Sequence, residues 1–377
     1  MDNTQSDQPV DLARQLLSIT SLRIFAALFV AIHHTRAAWA HTKVMDFIGQ
    51  VGWLGVSCFF ILSGFVLMWG YNPATTYKQF ILRRLIRIYP LHFLCLSASL
   101  IGFAIFHTPM AGYVGTIWGT VANFLLIHGW IPGHANIRQA WNGVSWTLSC
   151  EFFFYLVAPF FFRFILTGGN IQKTLYGVIV LWAILLIVSL IGEQHHWDAT
   201  LDFILYYPTP RFVEFMLGAC GAVLMRNGWK FKSRGTSVAL MIIPILLYCY
   251  WRPEADGLRS GAAMIAIFVP GAFLLIMSIA KLDIDGTSSW MQNRTLVFLG
   301  EASFALYMTH ALFLSVFTTV RNHFFPLSNS SVLWGEVMTI ACLALMVMIS
   351  VATHVGIEQP LRLWLMRKFS LSTRSTK

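Results

Sequence analysis

The sequence predicts an all-α integral membrane protein of about ten transmembrane helices, with one extra re-entrant or outer-surface segment, and three observations carry that prediction. Of 377 residues, 57% are hydrophobic and only 11% charged, against the roughly one-quarter charged usage of soluble globular domains. Windows of about 20 apolar residues, enough to cross a hydrocarbon core of ~30 Å, recur from Leu22 nearly to the end. The stretches between them are too short for a soluble domain of ordinary size. The chain therefore reads as a single polytopic domain over 1–370, followed by a short disordered tail at 371–377 rich in Ser, Thr and Lys.

Taken in order, the spanning segments are 20–39, 52–70, 88–106, 146–166, 174–192, 211–226, 237–251, 262–280, 296–319 and 333–356. An eleventh stretch, 115–130, is apolar but holds Asn123 and His128 between flanking glycines. Charge decides its status, because loops rich in Lys and Arg stay cytoplasmic. If 115–130 does not span and the N-terminus is inside, nineteen of the 26 basic residues fall on the cytoplasmic side, among them Lys78, Arg83, Arg84, Arg87, Lys230, Lys232 and the five after Leu361. Making it span would move the Lys230 cluster outside. The expectation is a protein of the cytoplasmic (inner) membrane with both termini cytoplasmic. Ala38-Trp39-Ala40 resembles a signal cleavage site, but the first apolar run is read as a retained helix because its histidines belong to the candidate site.

The net charge of +10 does not point to nucleic acid, since the basic residues sit between apolar segments where anionic membrane lipid accounts for them. The six cysteines lie singly in apolar stretches without metal-ligand spacing, so neither a disulfide framework nor a metal site is expected. Cys150, beside Glu151, reads as a buried structural thiol.

Ionisable groups inside apolar segments mark function, because a charge near the bilayer centre costs at least ~2.5 kcal/mol. The set comprises His33 and His34, Glu151, Arg211 and Glu214, Glu301 and His310, and His354 with Glu358. At 1.5 Å per residue, His34 lies about 20 Å along an outward-running helix, in the outer half of the core. The same arithmetic puts Glu151, Arg211, Glu214 and His310 in that layer. A second cluster, Arg83, Arg84 and Arg87, lies at the cytoplasmic mouth of the third segment. Arg84 and Arg87 share a helical face, which suits either one multiply charged phosphate ligand or a positive-inside anchor.

These residues, in this order, resemble the type 3 membrane acyltransferases, a family of polytopic enzymes. Arg23 precedes His34 by eleven positions, the register of that family's first helix; Gly52 to Phe65 is similar to its Phe-Phe and Ser-Gly-Phe motif; and Arg84-x-x-Arg87 before Pro90 matches its arginine element. Trp141 to Glu151 with Tyr155 and Pro159, Arg211 with Glu214, Phe215 and Gly218, then Gly300, Ser303, Tyr307 and His310, then Glu358 and Pro360, continue the likeness to about Leu365. One departure is that Phe152 follows Glu151, where the family often has a second acid. The hydrolase-like domain that some members carry is not expected.

The resemblance implies a membrane O-acyltransferase that takes an acyl group, acetyl above all, from acyl-coenzyme A as co-substrate. The implied acceptor is a hydroxyl of an extracytoplasmic carbohydrate, a surface polysaccharide or a lipid-linked glycan. It assigns His34 as general base or transient acyl carrier, Glu151 as its orienting partner, Arg84 and Arg87 to the donor phosphates, and Trp141, Asn142, Ser145, Arg211, Glu214 and His310 to a polar layer around the acceptor. A proton-coupled transporter is the main rival, since buried His, Glu and Arg also line transport pathways, and a non-catalytic sensor is a third reading.

Overall fold

The computed structural model describes residues 16–371 except 37, 40, 108–110, 132, 169, 230–233, 252–257 and 325–331. The expected disordered tail therefore lies outside the described residues from 372 on, and Leu371 itself is buried. In chain order the helices are α1 (Leu17–Thr35), α2 (Lys43–Val51), α3 (Gly55–Trp69), α4 (Tyr77–Phe106), α5 (Ile117–Phe124), α6 (Ala135–Arg138), α7 (Trp146–Thr167) and α8 (Ile171–Gln194). They continue as α9 (Asp198–Tyr206), α10 (Pro208–Arg226), α11 (Arg234–Trp251), α12 (Leu258–Ile284), α13 (Arg294–Phe324), α14 (Val332–Thr353) and α15 (Gln359–Lys368).

Among the described residues, eight spans are long and apolar enough to cross a membrane: α1, α2 running into α3, α4, α7, α8, α12, α13, and α14 running into α15. The remaining two expected segments are α10, which carries Arg211 and Glu214 on buried positions, and the shorter apolar α11. Lipid is the solvent for the outward faces, where Phe160, Ile187, Leu333 and Ile340 are exposed. The stretch 115–130 forms only the eight-residue α5, about 12 Å long and too short to span.

Contacts fix which helix ends share a face of the bundle. Asp283, at the end of α12, caps the start of α1, accepting from the Ser18 backbone N–H and hydroxyl at 2.8 Å each and supplying the anionic group that the orphan donors of a helix N-terminus favour. Arg226, ending α10, donates to the Trp69 carbonyl that ends α3. At the opposite face Thr42 donates its hydroxyl to Glu336, at the start of α14, at 2.7 Å.

Two glycine contacts set the helix spacing. A Cβ on Gly64 would lie 1.9 Å from the Phe215 carbonyl oxygen, and one on Gly218 would lie 1.9 Å from that of Ile61. Thus α3 and α10 touch backbone to backbone, as small residues permit in membranes. A Cβ on Gly300 would come within 2.0 Å of Thr20 O. That contact presses α13 against α1 in parallel, which brings His310 level with His34.

Candidate active site in two adjoining cavities

Among the described residues, two adjoining cavities separated by a thin wall hold the candidate residues. The larger, about 730 Å³, is lined by His33 and His34 of α1, Trp53 and Val56, Gln139, Gly143, Trp146, Tyr206, Arg211, Tyr307 and Arg321. The smaller, about 120 Å³, is lined by Arg23, Arg84, Arg87, Glu151, Tyr155, Ser63, Thr147 and again Val56 and Tyr307.

On the histidine side, partners fix the tautomers. His310 Nδ1 lies 2.7 Å from Tyr307 O and 3.2 Å from Leu306 O. Carbonyls only accept, so Nδ1 carries the hydrogen and Nε2 the lone pair. His34 Nδ1 sits 2.9 Å from Val30 O and 3.3 Å from His310 Nε2, so it too carries hydrogen and donates to both. His34 Nε2 is thereby left with its lone pair in a residue that lines the large cavity. Such a nitrogen can take a proton from a hydroxyl placed before it. His33 also borders this cavity, with Nδ1 2.8 Å from Gly49 O.

Arg211 lies at the wall of the same cavity, and Glu214, behind it, neutralises it, Nη1 to Oε1 at 2.8 Å. Ser57 accepts from Arg211 Nη2 at 3.2 Å, and the guanidinium lies 5.0 Å from the Phe60 ring centroid. They shape the wall as a closed pair.

On the arginine side, Arg84 and Arg87 share one helical face as expected, and Arg23 joins them from α1. Arg84 Nε is buried without a partner, a cost that an anionic ligand would relieve. Glu151 is the carboxylate of this cavity and accepts from Tyr155, one turn on, at 2.7 Å.

Glu151 is therefore not the partner of His34; it lines the other cavity, level with Arg23, which precedes His34 by about 16 Å of helix rise. The reason is where α7 starts. The preceding segment turns inward: Tyr113 N donates to Gln139 O and Trp141 N to Tyr113 O, each at 3.0 Å. Asn142 Nδ2 then donates to Met308 O at 3.0 Å, midway along α13. So α7 begins deep in the bundle and carries Glu151 beyond the histidine layer.

Trp141, Asn142 and Ser145 also stand behind the cavity wall instead of in it. Trp141 Nε1 donates to Thr120 Oγ1 at 2.8 Å. Ser145 donates to Asn142 O at 2.7 Å and accepts from His128 Nε2 at 3.2 Å. Burial, with His92 nearby, pushes the His128 imidazole down to about 3. These residues brace the inward segment, and of the expected polar layer the large cavity is lined by His34 and Arg211, with His310 and Glu214 paired to them from behind.

Sequence reasoning missed Arg23 as the third arginine, the aromatic wall of Trp53, Trp146 and Tyr206, and Tyr307 between the cavities. The signal for Arg23 was present as its fixed register with His34. For Thr147 and Tyr155 it was the i±4 spacing from Glu151, which puts all three on one helical face.

A membrane-embedded bundle in which a basic cavity adjoins one carrying a bare imidazole nitrogen fits a polytopic group-transfer enzyme. Residues 16–353 match the family model described as an acyltransferase domain, and the chain belongs to acyltransferase family 3. It is thus an acyltransferase and not a solute carrier. It is 33% identical to the acyltransferase MdmB of Streptomyces mycarofaciens over 78% of each chain. It is 24% identical to the exopolysaccharide production protein ExoZ of Rhizobium meliloti over 71% of this chain and 78% of that one. It is 26% identical to the peptidoglycan O-acetyltransferase OatA of Listeria monocytogenes over 43% of this chain and 26% of that one. No solved structure matches the chain.

Proposed function

We propose that the protein transfers an acetyl group from acetyl-coenzyme A to a carbohydrate hydroxyl across the cytoplasmic membrane, with both termini and the arginine cavity on the cytoplasmic side. The observation that carries this reading is the common wall between a narrow arginine-lined cavity and a wide cavity holding His34. Arg23, Arg84 and Arg87 would hold the donor phosphates, and the 120 Å³ cavity suits the slim pantetheine arm better than the nucleotide. The acceptor would enter the 730 Å³ cavity, over Trp53, Trp146 and Tyr206. The names of OatA and ExoZ, which speak of peptidoglycan and exopolysaccharide, support a saccharide.

The chemistry follows from the tautomers. His34 Nε2 takes the proton of the acceptor hydroxyl as its oxygen attacks the thioester carbonyl. The tetrahedral intermediate then collapses, the C–S bond breaks, and the proton on His34 passes to the leaving sulfur. The products are an ester and free coenzyme A thiol. While Nε2 is protonated, Val30 O and His310 Nε2 hold the Nδ1–H and keep the ring aimed. Membranes carrying the protein, given labelled acetyl-coenzyme A on the cytoplasmic face, should put label into saccharide. His34→Ala should lower that transfer at least ~100-fold, while His33→Ala, removing a ring held on Gly49 O, should act mildly. Full transfer by well-folded His34→Ala would overturn the assignment.

A further inference from the structure

The two cavities have two lining residues in common, Val56 and Tyr307. Any acyl group that reaches His34 from the arginine side must cross the seam those two side chains make. Tyr307 is almost fully buried, and its hydroxyl is pinned rather than free. It accepts from Thr147 Oγ1 at 3.0 Å and donates to Val144 O at 3.2 Å. Both partners belong to the inward-folded start of α7. Phe59 stands edge-on to the ring, with centroids 5.7 Å apart. The Tyr307 carbonyl, in turn, fixes the His310 tautomer at 2.7 Å. One side chain thus closes the passage while its own backbone sets the imidazole pair beyond it.

Building on the donor reading above, we infer that Tyr307 is the specificity-determining residue for the acyl group: its pinned ring admits a two-carbon acyl past Val56, turns back longer chains, and keeps acceptor-side water from the thioester. Methylenes in an apolar constriction discriminate by roughly 10–200-fold each, so the ring suffices to separate acetyl from butyryl. Water reaching the thioester would add to its carbonyl, break the C–S bond, and release acetate and coenzyme A thiol. The hydroxyl pin opposes this by holding the ring across the seam.

The test uses the full-length protein in membranes, with acetyl-, butyryl- and hexanoyl-coenzyme A as probes and thiol release as the readout, with and without saccharide acceptor. Wild type should favour acetyl and release little thiol without acceptor. Tyr307→Ala should shift the butyryl-to-acetyl ratio of kcat/KM by at least ~10-fold toward butyryl, and Tyr307→Phe, which keeps the ring but loses the pin, should keep the acetyl preference and raise acceptor-independent thiol release. Val56→Ala widens the seam from its other side and should shift the same ratio; it decides the matter if Tyr307→Ala fails to fold. An unchanged chain-length ratio in folded Tyr307→Ala or Val56→Ala overturns the inference. Absence of turnover with every acyl-coenzyme A in wild type strikes the donor reading first, and this one with it, so the two failures are distinguishable.

Discussion

At the scale of single residues, the chemistry divides between a histidine pair and an arginine set, and Glu151 belongs to the second. His34 is held by Val30 O and His310 Nε2, not by a carboxylate. Glu151 is instead the counter-charge to Arg23, Arg84 and Arg87. Glu151→Gln keeps an acceptor for the Tyr155 hydroxyl and removes one negative charge from the cavity proposed to hold the donor phosphates. Steady-state kinetics should therefore show a lower KM for the donor, with kcat changed by no more than a few fold. A kcat loss as deep as that of His34→Ala would return Glu151 to the imidazole. That His34 and His310 come together, and Arg84 and Arg87 share a cavity, was legible in sequence from register and a shared helical face. Trp141, Asn142 and Ser145 were not, because a motif gives residue type and order while the wall or brace role depends on which way the backbone turns.

Among the elements, the decisive one is the inward fold of residues 111–145. Helix counting placed Glu151 by assuming that α7 starts at the membrane surface, whereas Asn142 and Val144 tie its start to Met308 and Tyr307 in mid-α13. The short helix α5 was foreseen as non-spanning; its pairing with the start of α7 was not, since loops that return into a bundle leave no periodicity to read. Helix pairing also governs the imidazoles. Gly300→Ala would drive a methyl to 2.0 Å from Thr20 O, so α13 must shift away from α1, and overpacking of this kind costs about 1–3 kcal/mol. The expected result is a lower thermal midpoint and at least ~10-fold slower turnover, as His310 withdraws from His34. Gly177→Ala, with open space around its Cβ position, is the control and should leave both within error. Equal behaviour of the two variants would show that the α1–α13 contact does not tune the site.

For the whole molecule, ten hydrophobic segments were readable because apolar length survives any packing arrangement. The two cavities were not, since they arise from faces contributed by α1, α3, α4, α7, α10 and α13 together. Sidedness is testable directly. The turn at Gly228 after α10 and the end of α15 belong to the face where α1 begins, while His107, ending α4, belongs to the other. Single cysteines at Gly228 and Phe369 should react with impermeant maleimide only from the cytoplasm, and one at His107 only from outside. Labelling of Gly228→Cys from outside would invert the proposed orientation.

The closely spaced pair Gly64 and Gly218 bears on how such a molecule can exist in an energised membrane at all. Two adjoining cavities inside one membrane bundle are, in electrical terms, two wells back to back, and a gap between them would be a shunt for protons and salt. Locking α3 onto α10 at backbone distance sets Val56 and Phe59 of α3 against the seam, so the septum is built on a crossing where the two backbones touch. Membrane insulation at this point thus rests on two residues that carry no side chain at all.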